Sequence, residues 1–134
     1  MFLSVLNILV YFLPLMGVMA RKPRSLVLFD GCTTHKVWRA HNKEYYLKDN
    51  SVKELYINSL RITQRTDKDD YELNAATIMS NHVHEIMKVY SVEDFSNLMR
   101  KHHSRFGLIY NKQNKRCGKV AQERPHTTCF ENEA

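Results

Sequence analysis

Two strand-like segments separated by a two-residue break most constrain what this chain can form. Residues 71–79 and 82–90 contain many β-branched, aromatic and apolar side chains, and Ser80-Asn81 between them is a turn pair. A connection this short joins antiparallel neighbours, so the two segments are predicted to form a β-hairpin. Residues of the second segment then alternate between the two faces of a sheet.

Two histidines, His82 and His84, begin the second segment and flank Val83. On a strand both project from the same face, with Cα atoms about 6.6 Å apart, while Val83 points into the core. That spacing allows two imidazoles to converge on one divalent ion. The alternative is a half-exposed strand that carries two histidines. Glu85 is predicted to lie on the opposite face, where it cannot easily share their site.

The remaining segments predict an α+β fold. Ser51-Val52-Lys53-Glu54 and Ser91-Val92-Glu93-Asp94 have the capping-box pattern of helix starts, and apolar residues follow each at helical spacing. We expect strands at residues 33–40 and 127–130 and helices at residues 51–63 and 92–112. The order strand, helix, hairpin, helix, strand suits a ferredoxin-like antiparallel sheet with helices packed on one face.

The composition favours an anionic partner and a reducing compartment. The net charge is +6 and the pI about 9.3, which is typical of proteins that bind nucleic acid or an anionic membrane. Three cysteines without a C-x-x-C pair make a disulfide framework unlikely and favour the cytoplasm. Ordinary solvation is the alternative for the basic face of the second helix. The cationic side chains predicted to contact nucleic acid are Lys36, Arg39, Arg100, Arg105, Lys112, Lys115, Arg116 and Lys119.

The first twenty residues differ from the rest, so the chain divides into residues 1–20 and a domain at residues 21–134. Residues 1–20 carry no charge and are just long enough to span a bilayer, but Pro14 and Gly17 interrupt them. Three interpretations remain open: an upstream extension of a reading frame that starts at Met19, a membrane anchor, and a cleaved signal. We expect the extension, which makes membrane association the less favoured alternative.

Several motifs together resemble the HUH single-tyrosine transposases, in particular the REP-associated tyrosine transposases and small insertion-sequence enzymes. Met79-Ser80-Asn81-His82-Val83-His84 matches the family pattern at every position. His35 and Arg39 fit the first strand, and Tyr110-Asn111 precedes a basic glycine loop as in the family. His35 itself is expected to be a hydrogen-bonded strand residue rather than a third metal ligand.

The resemblance implies cleavage and rejoining of DNA through a phosphotyrosine intermediate. His82 and His84 would hold Mg²⁺ or Mn²⁺, which would polarise the scissile phosphate. The implied substrate is single-stranded DNA, often beside a hairpin, and family members occur as monomers and as homodimers. In the family, the nucleophilic tyrosine lies on a helix after the last strand.

This chain ends before such a helix, so we expect a C-terminally truncated version with impaired activity and without the third metal ligand. The last tyrosine, Tyr110, is the one remaining candidate for the nucleophile, at a position where the family has a packing tyrosine. The rival interpretation is a non-catalytic nucleic-acid-binding protein.

Overall fold

The computed structural model describes residues 22–66 and 71–130, which form a four-stranded antiparallel sheet and two long helices. The predictions about residues 1–20 and about the chain end lie outside these residues. No helix in the described part of the chain is long and apolar enough to cross a membrane. The elements, in chain order, are β1 (Thr33–Arg39), α1 (Asn50–Thr66), β2 (Tyr71–Ile78), β3 (His82–Val89), α2 (Val92–Gln113) and β4 (His126–Phe130).

The strands follow the order β2-β3-β1-β4, and every neighbouring pair is antiparallel. β1 and β3 occupy the centre, and every second residue of each is buried. Both helices pack on the buried face. The structure therefore confirms the α+β class and the ferredoxin-like arrangement.

Local sequence explains where α2 begins. The Ser91 hydroxyl accepts a hydrogen bond from the Asp94 amide, as the capping box predicts, and Glu93 and Asp94 lie at the positive end of the helix dipole. The box predicted for α1 is misplaced. The amides of Val52 and Lys53 bond to the Asp49 carbonyl, so the helix starts at Asn50 and Ser51 lies inside it.

Two apolar clusters fill the space between sheet and helices. One contains Met87 and Phe95, and the other contains Trp38, Tyr56 and Phe106. Trp38 and Phe106 meet edge to face at 5.7 Å between ring centroids. Such pairs contribute about 0.5–1.5 kcal/mol beyond the burial of their surface. The covered face thus supplies the core, and the opposite face remains open.

Candidate metal and nucleic-acid site

Three histidines share the open face of the sheet. His82 and His84 lie on β3, and His35 lies on β1. All three are half-buried, whereas the intervening Val83 and the following Glu85 are fully buried. The structure therefore confirms that the two β3 histidines share a face and that Glu85 lies on the other one.

The turn before β3 orients the first of these histidines. The His82 Nδ1 atom lies 2.7 Å from the Asn81 side-chain oxygen. The Asn81 side-chain amide nitrogen donates in turn to the Lys43 carbonyl at 3.3 Å. This second contact defines which end of the Asn81 amide faces the ring. Because an amide oxygen only accepts, the His82 Nδ1 must be the donor.

The second ligand candidate contacts the neighbouring strand. The His84 Nδ1 atom lies 2.9 Å from the His35 Nε2 atom. The two rings are inclined by only 13° with centroids 5.1 Å apart. An N–N distance of 2.9 Å is too short for rings stacked face to face, so they lie side by side in nearly one plane. His84 is also close to His82, with a centroid separation of 5.0 Å.

The surroundings of His84 favour its neutral form. Partial burial lowers its pKa below the usual value, and nearby His82, His35 and Arg39 lower it further. A neutral imidazole is the form that binds metals. With both Nδ1 atoms engaged, the Nε2 atom of each ring is the one left for a ligand. The pair thus has the donor chemistry for a divalent transition ion.

Two nitrogen ligands make only part of a coordination shell. Among residues 22–66 and 71–130 there is no group of three or more His, Cys, Asp or Glu side chains able to hold a metal. The Nε2 atom of His35 forms a hydrogen bond with His84, in keeping with the expectation that His35 is a hydrogen-bonded strand residue. The donor set fits Mn²⁺ better than Mg²⁺, because Mg²⁺ prefers oxygen ligands.

The prediction that Lys36 contacts nucleic acid is wrong. Lys36 lies on the covered face of β1, is 0% exposed, and forms a salt bridge with Glu85 directly opposite on β3. Its ammonium group also lies 3.4 Å from the Tyr56 hydroxyl and 3.3 Å from His103 Nε2. Burial lowers the Lys36 pKa, and the Glu85 carboxylate offsets part of that effect.

Tyr110 lies on the helix-covered side of the sheet, away from the open face. It belongs to the cluster of Trp38 and Phe106, and its ring lies 5.2 Å from that of Tyr46. Burial raises its pKa, which disfavours the phenolate. These contacts suit a packing residue and argue against Tyr110 as a nucleophile acting at His82 and His84.

The other predicted cations occupy three regions. Arg39 is exposed at the end of β1, on the histidine face and opposite His82. Arg100 and Arg105 lie on α2, where Arg105 donates to the Thr63 hydroxyl on α1. The exposed lysines near the end of α2 and in the loop that follows it are Lys112, Lys115 and Lys119.

Arg116 holds this loop in place. Its guanidinium donates to the Asn111 side chain at 2.7 Å, to the Tyr46 hydroxyl at 2.7 Å and to the Lys119 carbonyl at 2.9 Å. It also lies over the Tyr46 ring, 4.6 Å from the centroid. Arg116 therefore acts first as a structural residue. The three neighbouring lysines, Lys112, Lys115 and Lys119, are exposed.

The basic loop and the histidine turn lie at the same end of the sheet. Leu47, next to Tyr46, donates its amide to the Ser80 carbonyl in the turn. On the other side, the His41 amide bonds to the Val120 carbonyl just after the loop. Exposed lysines are thus held beside the end of β3 that carries His82.

Asn81 belongs to the motif before His82, but the motif alone gives it no role. A turn asparagine directly before a histidine has a side-chain oxygen within reach of the ring, which is the signal that could have identified it. The contribution of the Lys43 carbonyl has no sequence signal, because it depends on how the loop after β1 folds back on the turn.

Comparisons with known proteins agree with this architecture. A search of curated protein sequences finds no match. A REP-associated tyrosine transposase bound to a REP hairpin is 18% identical with a TM-score of 0.66, and the match covers 85% of this chain and 64% of that one. A presumed transposase from Deinococcus radiodurans R1 is 18% identical with a TM-score of 0.57, covering 84% of this chain and 88% of that one.

A sequence model of the family described as "Transposase IS200 like" matches residues 29–127, well over half of the chain. The protein belongs to the IS200-like transposase family. The matched region contains both helices and β1 to β3, and therefore all three histidines of the open face.

Proposed function

We propose that this protein binds single-stranded DNA beside a hairpin and contributes the metal-binding part of a strand-cleavage and rejoining centre. The observation that carries the proposal is the placement of His82 and His84 on one open face with both Nδ1 atoms hydrogen-bonded. Family membership and the likeness to a transposase bound to a hairpin support it. The proposed location is the cytoplasm, which the three cysteines without a C-x-x-C pair favour.

In this proposal the Nε2 atoms of His82 and His84 would hold Mn²⁺ or Mg²⁺. A bound ion would supply Lewis acidity at the scissile phosphate. Arg39 lies on the same face and places a permanent positive charge beside the bound phosphate. The exposed lysines at the same end of the sheet contact the phosphates of the DNA backbone; they are Lys112, Lys115 and Lys119.

The nucleophile is not assigned to the described residues. Tyr110 is on the covered side, so the phosphotyrosine step needs a hydroxyl from elsewhere, on this chain or another. The DNA-binding and metal-binding roles do not depend on that step. They are therefore the part of the proposal that the chain itself carries.

The test uses the full chain, Mn²⁺ and a labelled oligonucleotide that has a hairpin with a single-stranded flank. We expect metal-dependent binding that falls when His82 and His84 are both changed to alanine, with Ile86→Ala as an exposed, uncharged control on the same face of β3. Binding that is indifferent to metal and to both histidines would refute the metal role. A covalent adduct that survives denaturation and is lost in Tyr110→Phe would show that Tyr110 is the nucleophile after all.

A non-catalytic nucleic-acid-binding role is the second candidate, and the covered position of Tyr110 favours it. It predicts salt-dependent binding of the same oligonucleotide, with no adduct at any metal concentration. Under this alternative, replacing both histidines leaves the affinity unchanged, whereas replacing the exposed lysines lowers it.

A further inference from the structure

We propose that Asn81 and His35 are positioning residues that fix the tautomers of His82 and His84. Each partner engages the Nδ1 atom of one ring, so that the proton sits on Nδ1 and the lone pair sits on Nε2. This inference rests on the proposed metal role, because it assigns the residues that prepare the two ligands. Neither residue contacts the ion itself.

For His82 the hydrogen-bond chemistry leaves one choice. The Asn81 oxygen that it contacts is an acceptor, so the ring nitrogen at 2.7 Å carries the proton. A neutral imidazole has a single N–H, and the hydrogen bond made by one nitrogen sets which nitrogen holds it. In the neutral His82 ring the lone pair therefore sits on Nε2, which is the nitrogen able to bind a metal.

For His84 the contact to His35 permits two arrangements. If His84 donates, its Nε2 carries a lone pair, and His35 holds its own proton on Nδ1. If His84 accepts, its Nε2 is protonated and cannot bind metal. The nearly coplanar rings and the 2.9 Å separation give a well-aligned hydrogen bond in either direction. The metal role requires the first arrangement, and His35 is the acceptor that makes it possible.

The loop that orients Asn81 has an unusual backbone. Asn42 and Lys43 both adopt left-handed conformations, with φ of 53° and 58°. Lysine rarely adopts this conformation, and strained residues of this kind cluster at functional sites. The strained turn presents the Lys43 carbonyl to the Asn81 amide. The loop backbone thus fixes the orientation of the Asn81 amide, and the amide fixes the orientation of the His82 ring.

The test reads the tautomers directly by ¹⁵N–¹H NMR of the metal-free full chain, at a pH about two units above the usual histidine pKa. We expect the Nδ1–H pattern at His82 and at His84, whereas a neutral histidine in water mostly carries its proton on Nε2. Asn81→Ala shifts His82 alone towards Nε2–H, and His35→Phe shifts His84 alone. Asn81→Asp keeps an acceptor oxygen and preserves the His82 pattern.

The same variants are titrated with Mn²⁺. Loss of such a partner lowers metal affinity by about 10–100-fold, so we expect this range for Asn81→Ala and for His35→Phe. Asn97→Ala, an exposed asparagine on α2, serves as the matched control and changes neither readout. Native chemical-shift dispersion in each variant establishes that it is folded.

The outcomes separate the two proposals. Nε2–H at His82 or His84 in the native chain overturns the positioning role, even if Mn²⁺ binds. Nδ1–H at both rings that is unchanged in Asn81→Ala and His35→Phe also overturns it. A third outcome is that both rings carry Nδ1–H and respond to these variants, but the chain does not bind Mn²⁺. That outcome supports the positioning role and refutes the metal role.

Discussion

The buried ion pair of Lys36 and Glu85 gives the sharpest quantitative prediction. Both side chains are 0% exposed, and Glu85 Oε1 already has no hydrogen-bond partner among the described residues. Lys36→Met removes the cation that is paired with that carboxylate and leaves it with the Tyr56 hydroxyl at 3.3 Å. Breaking a buried pair in this way costs about 3–5 kcal/mol.

Glu85→Leu leaves the Lys36 ammonium unpaired and should cost a similar amount. The double variant, Lys36→Met with Glu85→Leu, replaces both charges by apolar groups of similar length. Such replacements are often neutral or stabilising, so we expect the double variant within about 1 kcal/mol of the native chain or above it. The two single effects are therefore far from additive.

Urea unfolding measures these differences through the fluorescence of Trp38, the single tryptophan of the chain, which is fully buried. With a slope of about 2 kcal/mol per molar urea, a 4 kcal/mol loss moves the midpoint down by about 2 M. Lys88→Met is the matched control, since Lys88 is exposed on β3, and its effect should stay within about 0.5 kcal/mol. A double variant as unstable as the sum of the single variants would refute the reasoning.

Three further predictions follow from burial, backbone and charge. The pKa of His102 falls to about 3 through burial, while the unfolded value is about 6.5. At a pH between these two values only the unfolded chain takes up the proton, so the free energy of unfolding falls by about 1.4 kcal/mol for each pH unit of acidification. The urea midpoint of the native chain should therefore drop between about pH 6 and pH 5, and His102→Phe should reduce that drop. Gly118 has φ of 95° with open space around it, so Gly118→Ala should lower stability by about 1 kcal/mol in thermal unfolding, purely from backbone strain. Arg39→Gln should weaken binding of single-stranded DNA and lower the salt dependence by about one phosphate contact, and an unchanged slope would exclude Arg39 from the interface.

The order of elements could be read from the sequence because each segment has a strong local signal. The capping box at Ser91 and the apolar period after it predicted α2 to within one residue, and the Ser80-Asn81 break located the hairpin. The shared face of His82 and His84 followed from strand alternation alone. These features depend on neighbours in the chain, so no tertiary information was needed.

The charge of Lys36 predicts an exposed side chain, and that prediction is wrong. Strand alternation places it on the same face as Trp38, and hence on the covered side. His103 on α2 likewise lies against Lys36 and Tyr56, because α2 packs against both the sheet and α1. Buried polar partners of this kind are tertiary features with no local signature.

The division of β1 and β3 into a covered and an open face has a consequence for how this protein can change over generations. Residues that hold the fold together alternate along the same two strands with the histidines proposed to bind a metal. Substitution of His82 or His84 opens no cavity in the core, because both side chains lie on the open face. Under the proposed function such a substitution leaves a folded chain without its reaction, so an inert descendant is one substitution away.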